Sequence, residues 1–268
     1  MKWLLVSLAV AGCASAGPGN SIIGGIDDAG VRSNDGRIGE RPDASERPDA
    51  SDRIDAGARP DANPAVDASL VDAPPSRITL SQTTSSEIAD GNSLACRVPS
   101  TSPPSTPANS YYRVFAPADS RGGGTLHVTE VSFGIQDAIS ATADGLQPAT
   151  IRLGTYDGAF GAGTLDLTKV RALTSMDIQI GDTSLDRMTV PITADVAGTA
   201  SLIVELALPA NTTLKHQFFI GSNDGGESAP GYFRATGCQY TAATSFTTVA
   251  SDNAHRPIDV LITVSGTL

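Results

Sequence analysis

The chain has 268 residues and a formal net charge of −11, with no cluster of Lys and Arg anywhere along it. An acidic polypeptide of this kind is repelled by phosphate backbones, so nucleic acid is excluded as a partner, and no basic patch is present to hold anionic lipid. The length suits one large domain or two small ones.

The first thirteen residues carry an export pattern. Met1-Lys2 gives a positive start, Trp3 to Ala11 an apolar run, and Gly12 a small residue before Cys13. The run is far shorter than the roughly 20 apolar residues of a membrane span and fits a signal-peptide core. Val10-Ala11-Gly12-Cys13 resembles the lipobox of bacterial envelope lipoproteins. That resemblance implies removal of residues 1–12, acylation of Cys13 by palmitate-type chains, and a lipid anchor that makes the membrane a partner. No acidic residue directly follows the cysteine, which by the same resemblance favours the outer membrane of a Gram-negative cell. Ala14-Ser15-Ala16 is also an A-x-A site, so cleavage before Gly17 and simple secretion is the alternative.

Residues 13–77 read as the lipidated cysteine and a disordered tether rich in Asp, Ala and Pro. Arg41, Arg47, Arg53 and Arg59 recur every six residues, each followed two positions later by Asp43, Asp49, Asp55 or Asp61. The period is too short and too poor in apolar residues for a solenoid. Pro42, Pro48, Pro60 and Pro64 oppose a regular helix and favour extended backbone. The 64 residues after Cys13 span about 45 Å as a random coil and roughly 200 Å if wholly polyproline-like. Similar spacers follow the lipobox in many envelope lipoproteins.

Residues 78–268 alternate like half-buried strands: Ile151 with Leu153, Ile178 with Ile180, Met188 with Val190 and Ile192. The same pattern runs through Leu202, Val204, Leu206 and Leu208, and through Ile258, Val260, Ile262 and Val264. Leu126 and Val128 have one parity and Val131, Phe133 and Ile135 the other, so one extra residue near Thr129-Glu130 predicts a β-bulge. No segment shows a helical period with caps. Roughly ten strands predict an all-β fold, an antiparallel β-sandwich of jelly-roll type. The segments Asn109–Phe115, Val131–Ile135 and Phe218–Asn223 resemble a recurrent β-domain of uncharacterised secreted bacterial proteins, over about residues 90–266. That resemblance brings no activity with it. With Cys13 acylated, Cys96 and Cys238 remain as a pair for an oxidising compartment. Closing a loop of this length is worth about 5 kcal/mol at most.

No catalytic signature is present: the three histidines are scattered, and neither H-E-x-x-H nor G-x-S-x-G occurs. The expected function is therefore a non-catalytic surface or periplasmic binding or adhesion module. Its alternative is a secreted, carbohydrate-active hydrolase with a site assembled from distant residues. Fold analogy makes carbohydrate, or another surface protein, the expected partner. Tyr111 and Tyr112 fall on opposite faces of one strand, so one of them is expected at the surface, and Tyr111 is the candidate ligand contact. Arg113 shares its face with Tyr111 and Phe115, as a buried ion-pair member or a ligand anchor. Ser222-Asn223-Asp224-Gly225-Gly226-Glu227 offers oxygen ligands, with Asn223 and Asp224 as contacts for a structural Ca2+, but the residues are also those of ordinary turns. Asn211-Thr212-Thr213 matches a glycosylation sequon, which the bacterial-type signal makes accidental.

Overall fold

The computed structural model describes residues 13–15, 76–97, 107–120, 124–161, 163–210 and 216–268. The signal segment 1–12, the spacer over 16–75, Gly122-Gly123 and the Asn211 sequon lie outside the described residues. The strands in chain order are β1 (Cys13–Ser15), β2 (Arg77–Leu80), β3 (Leu94–Cys96), β4 (Asn109–Phe115) and β5 (Leu126–Ile139). Next come β6 (Leu146–Tyr156), β7 (Thr164–Leu165), β8 (Val170–Gly181), β9 (Thr183–Val196) and β10 (Ser201–Leu208). The chain continues with β11 (Gln217–Ile220), β12 (Ser222–Asn223), β13 (Tyr232–Ala235) and β14 (Tyr240–Ser245). Helix α1 (Phe246–Asp252) precedes β15 (Asp259–Val260) and β16 (Ile262–Thr267).

The fold is an all-β antiparallel sandwich. One sheet has seven strands in the order β7-β14-β13-β4-β10-β6-β8, and the other joins β11, β5, β16 and β2 with β9 paired to β5. Alternation decides which side chains meet between them. Val131, Phe133 and Ile135 of β5 and Val190 and Ile192 of β9 share one core with Tyr111, Phe115, Ile151, Leu153 and Val204 of the larger sheet. Each such burial of a Val, Leu, Ile or Phe contributes about 1.5–3 kcal/mol. The change of phase in β5 is a bulge: against β9 the register shifts between Val128 and Glu130, so the extra residue returns the apolar set to the core.

Two features differ from the sequence reading. Residues 246–252 form a short helix whose Ser245 side chain accepts a hydrogen bond from the Thr248 amide, with Phe246, Val249 and Ala250 buried along one face. At seven residues, with Thr247 and Thr248 inside it, this turn carries too little period to separate from strand pattern. The second concerns the tyrosines. Tyr111 and Tyr112 do point to opposite faces, but both are buried, because the outer face of the seven-stranded sheet has a small apolar layer of its own.

The chain is closed at three places. Cys96 and Cys238 form the expected disulfide across 142 residues, tying β3 to the turn after β13. β1 pairs by backbone with β3, Cys13 opposite Cys96. Along one edge of β5, β16 and β11 lie end to end and meet at Gly134. The Gly134 amide donates to the Leu261 carbonyl (2.9 Å), the Gly221 amide donates to the Gly134 carbonyl (2.8 Å), and the Leu261 amide donates to the Gly221 carbonyl (3.0 Å). The backbones come so close that a Cβ on Gly221 would stand 2.6 Å from the carbonyl carbon of Gly134.

Gly221→Ala is therefore expected to lower the unfolding free energy by about 1–3 kcal/mol in urea denaturation, as overpacking does. Gly124→Ala, where an added Cβ meets nothing within 4 Å, serves as the control and should leave the midpoint close to wild type. Reduction of the Cys96–Cys238 bridge should cost up to about 5 kcal/mol, read as a fall in the same midpoint with and without reductant.

Candidate functional site

The outer face of the seven-stranded sheet is where polar side chains converge on a concavity. Register sets the row: Glu205 of β10 stands opposite Tyr112 of β4 on one side and Arg152 of β6 on the other. Tyr112 Oη donates to Glu205 Oε1 at 2.8 Å, and Arg152 Nη1 donates to Glu205 Oε2 at 2.9 Å. Arg234 of β13, next to this row, has its Nε donating to the Thr241 carbonyl at 3.1 Å. Burial first, and then the Glu205 charge, push the Tyr112 hydroxyl up to about 12, so the phenol stays neutral and keeps donating.

A loop builds the wall. After β6 the chain turns back over the outer face, adds β7 beside β14 at one edge of the same sheet, and returns to the other edge as β8. Tyr156 Oη donates to the Ala159 carbonyl (3.1 Å) and accepts from the Asp166 amide (3.2 Å). Tyr232 Oη donates to the Gly161 carbonyl (2.8 Å) and accepts from the Gly161 amide (2.6 Å). Two phenols thus fasten the loop to the strands. Tyr156, Tyr232, Leu165 and Ile203 are buried beneath it, with Phe160, Leu167 and Val170 packed against them. What remains open is a groove of about 250 Å³, with Ile203 and Gly154 in its floor and Leu167, Val170 and Ala172 along one side.

The groove suits recognition rather than proton transfer. Its one carboxylate, Glu205, has a hydrogen bond on each oxygen, and its side chain is only 17% exposed. Arg152 is half exposed, and its ion pair with Glu205 uses a single nitrogen. A broader depression of about 720 Å³ lies along β2, its polar lining supplied by Ser76, Arg77, Thr79, Ser81 and Asp119.

The residues singled out in the sequence fall elsewhere. Tyr111 is not a ligand contact at the surface: it is fully buried, its ring 5.5 Å from Phe233, 6.0 Å from Phe218 and stacked on Phe246 at 6.3 Å. Arg113 is also fully buried and is the ion-pair member, not a ligand anchor, with Nη2 2.8 Å from Glu227 Oε2. Its guanidinium donates in addition to the carbonyls of Val260 and Ala229 and to Gln82. Asn223 is buried and donates to the Ser85 and Glu87 carbonyls, both at 3.0 Å. Asp224 sits outside, 3.6 Å from Arg256 Nη1. These four residues form no common site. Among the described residues no group of three or more His, Cys, Asp or Glu converges as a metal site. His127 is exposed and paired with Asp195 at 2.7 Å, whereas His216 is buried, its Nδ1 3.1 Å from the Ala141 amide, and desolvation lowers its pKa.

Arg152, Glu205 and Arg234 passed unnoticed in the sequence. Each lies at the outward position of an apolar strand, where a charge ordinarily means solvent. The only local hint is the glycine-rich stretch 158–163 after Tyr156, which marks a loop able to fold back.

No family model, curated protein or solved structure matches the chain. Among the described residues, no helix is long and apolar enough to cross a membrane.

The buried Arg113 cluster predicts an unusual pH dependence. One guanidinium faces two carboxylates, Glu227 and Asp259, and Asp259 also accepts from the Gly226 amide at 2.6 Å. Desolvation raises the Glu227 pKa to about 7, with Arg113 opposing and Asp259 adding to the rise. A carboxyl whose folded pKa exceeds its unfolded value of about 4.5 contributes stability below that value and loses it as pH rises through 7. Unfolding free energy is thus expected to fall between about pH 5 and pH 8 in denaturation curves. Glu227→Gln, uncharged throughout, should flatten that slope.

Proposed function

We propose that this protein is an exported envelope lipoprotein, anchored through acylated Cys13, whose β-sandwich is a non-catalytic surface or periplasmic binding module. The observation that carries the binding part is the outer-face groove, where Tyr112, Glu205, Arg152 and Arg234 stand around an aliphatic floor. A concave site with an apolar lining and a few oriented polar groups is the usual form of a small-ligand site. Strands hold three of the four polar residues in register with one another, which pre-organises the site.

The alternative of a carbohydrate-active hydrolase gains no support from this groove. Glycoside hydrolysis typically needs two carboxylates flanking the bond, and the lining contains one, already bonded on both oxygens.

Anchoring and location rest on Val10-Ala11-Gly12-Cys13, with Ala14-Ser15 favouring the outer membrane. Pairing of Cys13–Ser15 with β3 would keep the acylated residue beside the domain.

Metabolic labelling with an alkyne fatty acid, followed by fractionation, tests the anchor. Wild type should carry label and sediment with membranes, and Cys13→Ser should be unlabelled and soluble. A Cys13→Ser protein that remains with the membrane, or a mature N-terminus at Gly17, would overturn it.

A further inference from the structure

The geometry points to the ligand class of this groove: a small monocarboxylate with an aliphatic body, its head on Arg234 and Arg152 and its body on Ile203, Val170 and Leu167. This rests on the reading of the groove as the binding site. The charge balance carries the first half. The lining has two guanidinium groups against one carboxylate, a local positive excess in a chain whose formal net charge is −11. Glu205 already engages Arg152 through Nη1 alone, and the Thr241 carbonyl fixes Arg234 through Nε. A guanidinium has five N–H donors, so both arginines retain donors, and their planar forks match a carboxylate.

The second half comes from the floor. It is aliphatic, and the nearest aromatic side chain, Tyr112, is 3% exposed, so no ring face is offered for a pyranose to stack on. A small hydrated dianion would leave that aliphatic floor uncovered. Gly154 keeps the floor low: a Cβ there would stand 3.1 Å from Val170 Cγ1 and 3.3 Å from Ile203 Cγ2. The volume of about 250 Å³ falls below the roughly 300–1,000 Å³ of drug-sized sites, which limits the body to a few carbons.

The experiment is an NMR titration of the full chain, following the amides of Arg152, Ile203, Glu205 and Arg234. The probes are hexanoate, cyclohexanecarboxylate, acetate and 1-hexanol, with methyl hexoside as the sugar. Hexanoate or cyclohexanecarboxylate is expected to bind at least tenfold tighter than acetate, 1-hexanol and the hexoside. Affinity should fall at least tenfold in Arg234→Gln, and equally in Ala172→Phe. Both positions are exposed, Ala172 on an edge strand at the groove wall, so the variants test the site rather than folding. If 1-hexanol or the hexoside shifts the same amides as strongly as the carboxylates, the ligand class is wrong and the groove remains a site. If no probe moves them, or Ala172→Phe binds like wild type, the groove itself is not the site.

Discussion

A permanent cation sits in the middle of this sandwich. Arg113 lies on the inward face of β4, between Tyr111 and Phe115, and is fully buried. Removing a guanidinium from water costs several kcal/mol unless its donors are met. They are met from across the molecule: Gln82 follows β2, Val260 belongs to β15, and Ala229 and Glu227 come from the segment between β12 and β13. Gln82 in turn donates to the Val114 carbonyl at 2.8 Å, locking the far side of the cluster to β4. One side chain thereby joins the seven-stranded sheet to the residues after β2, to β15 and to the segment before β13. Deleting one member of such a buried pair typically costs about 3–5 kcal/mol. The same demand accounts for the Asn- and Gly-rich loop at 222–227. Glu227 and Asn223 face the protein to meet Arg113 and the 85–87 backbone, while Asp224 between them faces out.

The outer groove follows from a second packing event on the opposite face of the same strands. Sheets in a sandwich ordinarily leave one face to water. Here Phe160, Leu167 and Val170, from the connection between β6 and β8 and the start of β8, pack over that face against Tyr112, Tyr156, Tyr232, Ile203 and Leu165. Two tyrosine hydroxyls hold the loop by its backbone and β7 pairs with β14, while the groove wall itself is Leu167 of a short 3-10 turn with Val170 and Ala172 of β8.

Most strand positions were legible because period two is a local signal. Leu202, Val204, Leu206 and Leu208 are all buried, and so are Ile258, Val260, Ile262 and Val264. The bulge at Thr129 was legible because only an inserted residue lets one apolar run change parity and still face a single core. The groove was not. Its polar members lie at 112, 152, 205 and 234 and meet only because β13, β4, β10 and β6 are neighbours, an order that alternation does not encode. Tyr111 faces the inner core and its neighbour Tyr112 lies under the outer layer, so the pair misled for a related reason. Parity tells which face a side chain takes, but not whether a further layer covers that face.

The pairing of β2 with β16 sets Arg77 opposite Thr267, and the Leu268 amide donates to the Ser76 carbonyl at 3.1 Å. Both ends of the sandwich therefore emerge at a single spot. A short linker joining position 268 to position 76 would close residues 76–268 into a ring, and the chain could then be cut at the exposed turn around Asp144 without parting any of β2 to β16 from its neighbour among them. Such a circular permutant would keep the groove while moving the domain's point of attachment.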